Sequence, residues 1–515
     1  MYKIVCPYCF EEMNDDQVCF RSERVLSPMD APIPDDYDDT EDFIARYRGA
    51  DKDAILNKIQ EWEFFQERED PIYTSWWERY DGTTENNPAD DLLGVKAYHR
   101  CVIDPNKAYH TNYLKKQPDG SWFIRDHDGM VTQIELKTGE RCGRRVCRHC
   151  HNPLPDNYGK SPVKFASIIG ITGAGKTVYL SQLLRNMKTY TAKVGLTAIV
   201  KNSSTVTFLE NNRIEAGKPL PGSTPAKRLQ QPLFYELVHG THDGRKVTET
   251  FVLYDVAGEV FKDAQMVKGF APFIGHSDGL ILLIDPMQFE AVSMGVQGGQ
   301  TLLDASQALG AIHGIIEGSV DQLCDVPCAV CISKVDTEAV QNVLSPTLAS
   351  MLLEDVSGVR APNRLYRPIF NAQQYNPIVR ELNDWVGSNE IELAQHLADN
   401  YSTYSYFAFT ALGCNVTTGV VNGIETQYPE GPIVPRRVEE PLLWLFHRLG
   451  YIDTNERLFE PGKAPVICPM CQSEDTDELP EGSTITTGSF IFKKQEPVNR
   501  ECLACGYKWY HTPEE

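Results

Sequence analysis

Residues 170 to 177 read GITGAGKT and fit the pattern G-x-x-x-x-G-K-[ST] at every position. No other stretch constrains the fold as tightly. The apolar run KFASII (Lys164 to Ile169) enters the octet, and TVYLSQLLRNM leaves it with apolar residues at helical spacing. A glycine-rich turn between a strand and a helix N-terminus aims backbone N–H groups at a phosphate. Gly170, Gly173 and Gly175 let the chain curl, and Thr172, Ala174 and Val178 lie in the same cradle. Lys176 is spaced to reach β- and γ-phosphates, and Thr177 to set its hydroxyl on Mg²⁺.

The rest of residues 161–455 alternates strand and helix signals. KFASIIG, TFVLYDV, GLILLID, PCAVCISK and YFAFTA are short apolar runs, as expected for a parallel sheet covered on both faces. PLFYELVHG and VTETFVLYD, joined by THDGRK, predict an antiparallel hairpin at the sheet edge.

Charge narrows the partners. The net charge is −22 over 515 residues, with a pI near 5.0 and a mean hydropathy of −0.34. A field of that sign repels phosphate backbones, so free nucleic acid is not an expected partner. No apolar run approaches the ~20 residues that span a bilayer, so no membrane anchor is expected. The opening MYKIVCPYCF lacks a signal-peptide layout, and the expected location is cytoplasmic.

Of 15 cysteines, eight form four C-x-x-C pairs: Cys6/Cys9, Cys147/Cys150, Cys468/Cys471 and Cys502/Cys505. In a reducing compartment this spacing reads as two structural Zn²⁺ sites. CPMC and CLAC bracket TITTGSFIFKKQ in the layout of a C-terminal zinc ribbon, residues 460–515. CPYC lacks a nearby mate and pairs best with CRHC, giving a split ribbon from residues 1–21 and 141–160. Loop entropy grows only logarithmically, so the long insertion is no obstacle. Cys142, His149 and His151 are alternative ligands there. Cys328 and Cys331 share the spacing but sit in an apolar run, and are expected to be core. The insertion, residues 22–140, combines an acidic proline-rich loop, a helical stretch from Glu41 to Glu69, the aromatic cluster TSWWERY and a hairpin turning at Asp128-Gly129. It reads as a small α+β subdomain packed by its aromatics, with a partner-docking surface as the alternative.

Two more motifs name the nucleotide. Asp255 ends an apolar run and begins DVAGE; a carboxylate there can hold a Mg²⁺-bound water, and Gly258 can meet a γ-phosphate. In SKVD (333 to 336), Asp336 can accept both N1–H and the N2 amino group of guanine, whereas adenine leaves the carboxylate unpaired. The stem of Lys334 can lie along the base, and the backbone of Ala411 and Leu412 in TALG can meet O6.

GITGAGKT, DVAGE, SKVD and TALG, in that order, resemble the signatures of TRAFAC-class P-loop GTPases. LYDVAGE, GLILLIDPMQ and the zinc knuckles are similar to bacterial double-GTPase-like proteins, which are often associated with conflict or defence systems. The resemblance implies a Rossmann-like α/β fold, mostly parallel, in residues 161–455. It implies GTP/GDP and Mg²⁺ as cofactors, slow hydrolysis and a nucleotide switch acting on protein partners. A zinc-ribbon scaffold with structural nucleotide and an ATP-using P-loop NTPase are the alternatives. Three departures stand out. Ser333 replaces the usual Asn or Thr, Glu259 stands where Gln often orients water, and Asp255 lies 79 residues beyond Lys176. Within that gap the resemblance makes Thr224 the best placed to close over Mg²⁺, with Ser223 second. Lys227 or Arg228 could supply positive charge from the same loop, though an ordinary exposed basic pair is the plainer reading. Asp285 in LLIDP reads as structural or as a cap.

Overall fold

In the computed structural model of this chain the described residues are 2–34, 39–78, 99–170, 173–222, 231–242, 245–257, 260–261, 272–293, 305–316, 322–354, 358–360, 368–421, 424–462, 467–471, 476–479, 482–489 and 492–510. A seven-stranded sheet organises them. Its strands are β1 (Val163–Gly170), β2 (Thr197–Val200), β3 (Leu233–His242), β4 (Arg245–Ala257), β5 (Gly279–Ile284), β6 (Cys328–Ile332) and β7 (Tyr404–Ala408). They lie in the order β2-β3-β4-β1-β5-β6-β7. From β4 to β7 every neighbouring pair is parallel, while β2, β3 and β4 pair antiparallel.

The apolar runs follow from coverage on both faces. Phe165 and Ile169 of β1, with Leu280, Leu282 and Ile284 of β5, enter one core. Ala166 and Ile168, with Ile281 and Leu283, enter the other. Among the helices that cover the sheet are α1 (Lys176–Arg185), α2 (Ala305–Ile316), α3 (Ala372–Asn389), α4 (Ile391–Asn400) and α5 (Glu440–Arg448). α1 and α5 cover the second face, α2 and α4 the first, and α3 buries residues into both cores. The first face also carries the N-terminal cysteine module, through Ile4, Tyr8 and Phe10 among others.

Two expectations need correction. The predicted hairpin exists, as β3 and β4, but not at the sheet edge: β2 pairs outside it. Thr197–Val200 is four residues long with two of them exposed, too short to print a strand pattern. The helical stretch of the insertion is two helices, Thr40–Ile44 and Ala50–Phe65, with Gly49 between them at φ 60°. The turn at Asp128-Gly129 is present, with Phe123–Arg125 paired to Val131–Glu135. Trp76 and Trp77 are buried, with their rings against Tyr8 of the first knuckle, so these two offer no docking surface. Among the described residues no helix is long and apolar enough to cross a membrane.

Candidate nucleotide site and cysteine clusters

The five parallel strands end on the same side of the sheet, and the motif residues follow those ends. Gly173 and Gly175 both take left-handed φ, 86° and 72°, and Gly175 caps α1, whose first residue is Lys176. A Cβ on Gly170 would stand 2.6 Å from the Lys176 Cβ, so strand and helix approach this closely only with glycine there. Ala174 is buried, and Thr177 and Val178 lie in the first turn of α1. Asp255 sits on β4 opposite Ile168 of β1, two residues short of the level of Gly170. Lys176 Nζ forms an ion pair with Asp255 Oδ1, and both groups are buried. Thr172, Ser223, Thr224, Lys227, Arg228, Gly258 and Glu259 lie outside the described residues.

On the base side, Ser333 directly follows β6. Its amide and its hydroxyl both donate to the Ile284 carbonyl, each at 3.1 Å. That hydroxyl stitches β6 to β5, a role the sequence departure alone did not reveal. Lys334 has a left-handed φ of 52°. Its Nζ donates to Asp285 Oδ2 at 2.8 Å, and its Cε stands 4.0 Å from where a Cβ on Gly175 would lie. Asp336 is half-buried, and among the described residues its carboxylate has no hydrogen-bond partner. After β7, Thr410 exchanges backbone hydrogen bonds with Arg436, and its Oγ1 accepts from Gly413 N at 3.3 Å. Val434 N donates to the Leu412 carbonyl at 2.7 Å, while Ala411 and Leu412 are half-buried. Asp285 caps as expected, accepting from Met287 N, but its ion pair with Lys334 was not foreseen.

The eight paired cysteines gather into two quartets. The ligand atoms of Cys6, Cys9, Cys147 and Cys150 lie within 4.8 Å of one another, and so do those of Cys468, Cys471, Cys502 and Cys505. In the first quartet Cys6 and Cys150 Sγ are 3.6 Å apart, and Cys9 and Cys147 Sγ 3.7 Å. Tyr8 N and His149 N donate to the first sulfur of each knuckle, and Phe10 and His151 turn left-handed just after the second. The second quartet repeats this with Met470 N on Cys468 Sγ and Gly506 at φ 73°. Four soft sulfurs within this radius fit a closed tetrahedral Zn²⁺ site in each case. Of the alternative ligands, His149 is exposed at the knuckle tip, and the other two are placed otherwise. His151 Nδ1 is 2.9 Å from Asp70, and Cys142 pairs through its strand with Ile134 while burial pushes its thiol up. Burial likewise raises the Cys328 and Cys331 thiols, as core cysteines require.

Residues 164–360 match the family model described as Double-GTPase 2. A curated relative, "Putative ESX-1 scaffolding and assembly protein SaeC" of Mycolicibacterium smegmatis, is 23% identical over 155 residues, 28% of this chain. The chain spans 39% of that relative's length. Among solved structures, a signal recognition particle receptor SRb-GTP/SRX complex from Chaetomium thermophilum aligns at TM-score 0.23 and 14% identity, covering 50% of this chain and 94% of that one. A GTP-binding protein from Sulfolobus solfataricus in complex with GDP aligns at TM-score 0.19 and 16% identity, covering 48% and 47%. The family match supports GTP binding, and with the loop, the sheet and the ordered motifs it marks this chain as carrying a double-GTPase-like P-loop GTPase domain.

Proposed function

We propose that this chain is a GTP-binding switch that hydrolyses GTP slowly with Mg²⁺ and acts on protein partners, in a cytoplasmic bacterial conflict or defence setting. One observation carries the reading. A phosphate loop and an SKVD stretch follow the ends of parallel strands in one sheet, and Lys334 reaches from the second to the first. In this reading the domain occupies residues 161–455, the split and C-terminal ribbons flank it, and 22–140 is inserted.

Lys176 binds the β- and γ-phosphates after exchanging its partner Asp255 for them. Thr177 and Asp255 are hard oxygen donors of the kind Mg²⁺ takes, and the bound ion supplies positive charge to the phosphates. Thr224 would close over that position, and Glu259, standing where Gln often orients water, would act as a base on the attacking water. Asp336 accepts from the guanine edge, and a carboxylate with no hydrogen-bond partner among the described residues is suited to that task. The relative's description as a scaffolding and assembly protein supports action through protein partners.

Competitive binding of GTP, GDP and ATP tests this on the wild type, Asp336→Ala and Lys176→Ala. GTP and GDP are expected to win over ATP, Asp336→Ala to erase the preference, and Lys176→Ala to weaken all three. Equal or better binding of ATP to the wild type sinks the guanine assignment.

A further inference from the structure

We infer that Asp285 is a positioning residue for nucleotide binding: it pins Lys334 across the phosphate loop and so holds a rigid wall for the base. This deepens the guanine-nucleotide reading above and rests on it. The strands bring the two residues together. Ile284 ends β5, Ile332 ends β6 opposite it, and Ser333 bonds the two ends through its amide and its hydroxyl. Asp285 and Lys334 therefore leave adjacent strands side by side, and the left-handed turn at Lys334 sets the direction of departure.

Both oxygens of Asp285 are used. Oδ1 accepts from Met287 N at 3.1 Å and fixes the carboxylate from behind. Oδ2 accepts from Lys334 Nζ at 2.8 Å. The same Oδ2 stands 2.9 Å from where a Cβ on Gly173 would be, so the carboxylate lies directly against the phosphate loop. A cap needs only Oδ1; the second contact has no capping role. The Asp285 side chain is nearly buried whereas that of Lys334 is 42% exposed, so the aspartate is the fixed end. A free lysine loses rotamer freedom on ordering, and holding the stem in place beforehand removes that cost from binding.

A double-mutant cycle on GDP affinity tests the inference in the full chain. Asp285→Asn keeps a cap acceptor without the charge; Lys334→Met keeps an apolar stem without the ammonium. Each single change is expected to weaken GDP binding roughly tenfold, and the double variant to be no weaker than either. Losses that multiply in the double variant, or an unchanged affinity for Asp285→Asn, overturn the inference and leave the guanine reading standing. A wild type that binds no guanine nucleotide overturns both. The melting point of the nucleotide-free protein reports folding. If Asp285→Asn does not fold, Asp285→Glu takes its place: it keeps the charge but shifts the anchor, and its loss must vanish when Lys334 is Met.

Discussion

Cys6, Cys147 and Cys150 of the first quartet are buried and Cys9 is partly so, whereas Cys471 and Cys505 of the second lie exposed. The tips of the knuckles differ in the same sense. Tyr8 of the first is buried against Trp76 and Trp77, with ring centroids 5.9 and 6.3 Å away. Met470 and Leu503 of the second are 68% and 53% exposed. Identical ligand spacing thus serves two ends. The first module is part of the sheet's outer layer: Phe10 stacks on His276 at 4.5 Å and meets the rings of Phe165 and Tyr254 at 5.6 and 5.9 Å. Tyr254 immediately precedes Asp255. A metal bound at the first quartet would therefore stabilise the layer packed on the sheet beside the nucleotide motifs, whereas one bound at the second would stabilise mainly its own surroundings.

Removing one ligand from each quartet is the strongest way to break that contrast. Structural Zn²⁺ contributes on the order of 10 kcal/mol to folding of small modules at neutral pH. Cys150→Ser is expected to lose one zinc and nucleotide binding together. Cys471→Ser is expected to lose one zinc and keep nucleotide affinity within about twofold, since distant sites act independently. Zinc content and GDP affinity of each variant give the answer; equal losses of affinity would refute the contrast. Chelation sharpens it further. The exposed sulfurs should surrender their metal first, giving two release phases, with GDP binding lost only in the second.

A smaller effect separates the modules without touching a ligand. Arg21, Asp70 and His151 form a buried cluster behind the first quartet: Arg21 Nη2 is 3.0 Å from Asp70, and Asp70 is 2.9 Å from His151 Nδ1. Desolvation pushes the Asp70 carboxyl up, but His151 and Arg21 outweigh it and hold it below its ordinary range. A carboxyl lowered on folding stabilises above its unfolded pKa, near 3.9, and loses that contribution as pH falls through the folded value. Asp70→Asn is expected to cost about 3–5 kcal/mol near neutrality by stranding buried charge. The gap in melting point between wild type and variant should narrow as pH drops below about 4. A gap that stays constant with pH would show that Asp70 acts by packing alone.

What could be read in advance was local. The phosphate loop, the apolar strands and the four knuckles each occupy a short window with fixed spacing. β2 escaped because its four residues carry no period, and its place is set by the hairpin it joins. The Asp70–His151 and Asp285–Lys334 pairs span 81 and 49 positions, so only the folded arrangement brings them together. Ser333 could be marked as a departure, but its bond to Ile284 depends on which strands are neighbours. The docking of the first quartet was likewise invisible, because Phe10 and Tyr254 carry no signal beyond being aromatic.

Tyr254 offers the finest test of that docking. Its hydroxyl donates to the Pro7 carbonyl at 2.7 Å, in the tip of the first knuckle, and its ring stacks on Phe273 at 4.5 Å. Burial pushes the phenol well above its usual range, so it stays a neutral donor throughout the working pH range. Tyr254→Phe keeps the ring and its stacking but leaves the Pro7 carbonyl without that donor, a loss of about 1–2 kcal/mol. If module and sheet form one cooperative unit, that loss lowers the single melting transition and speeds zinc release from the first quartet only. If the module instead opens independently, release speeds up while the main transition stays put. The second outcome would reduce the contrast between the quartets to one of accessibility, with no energetic link to the sheet.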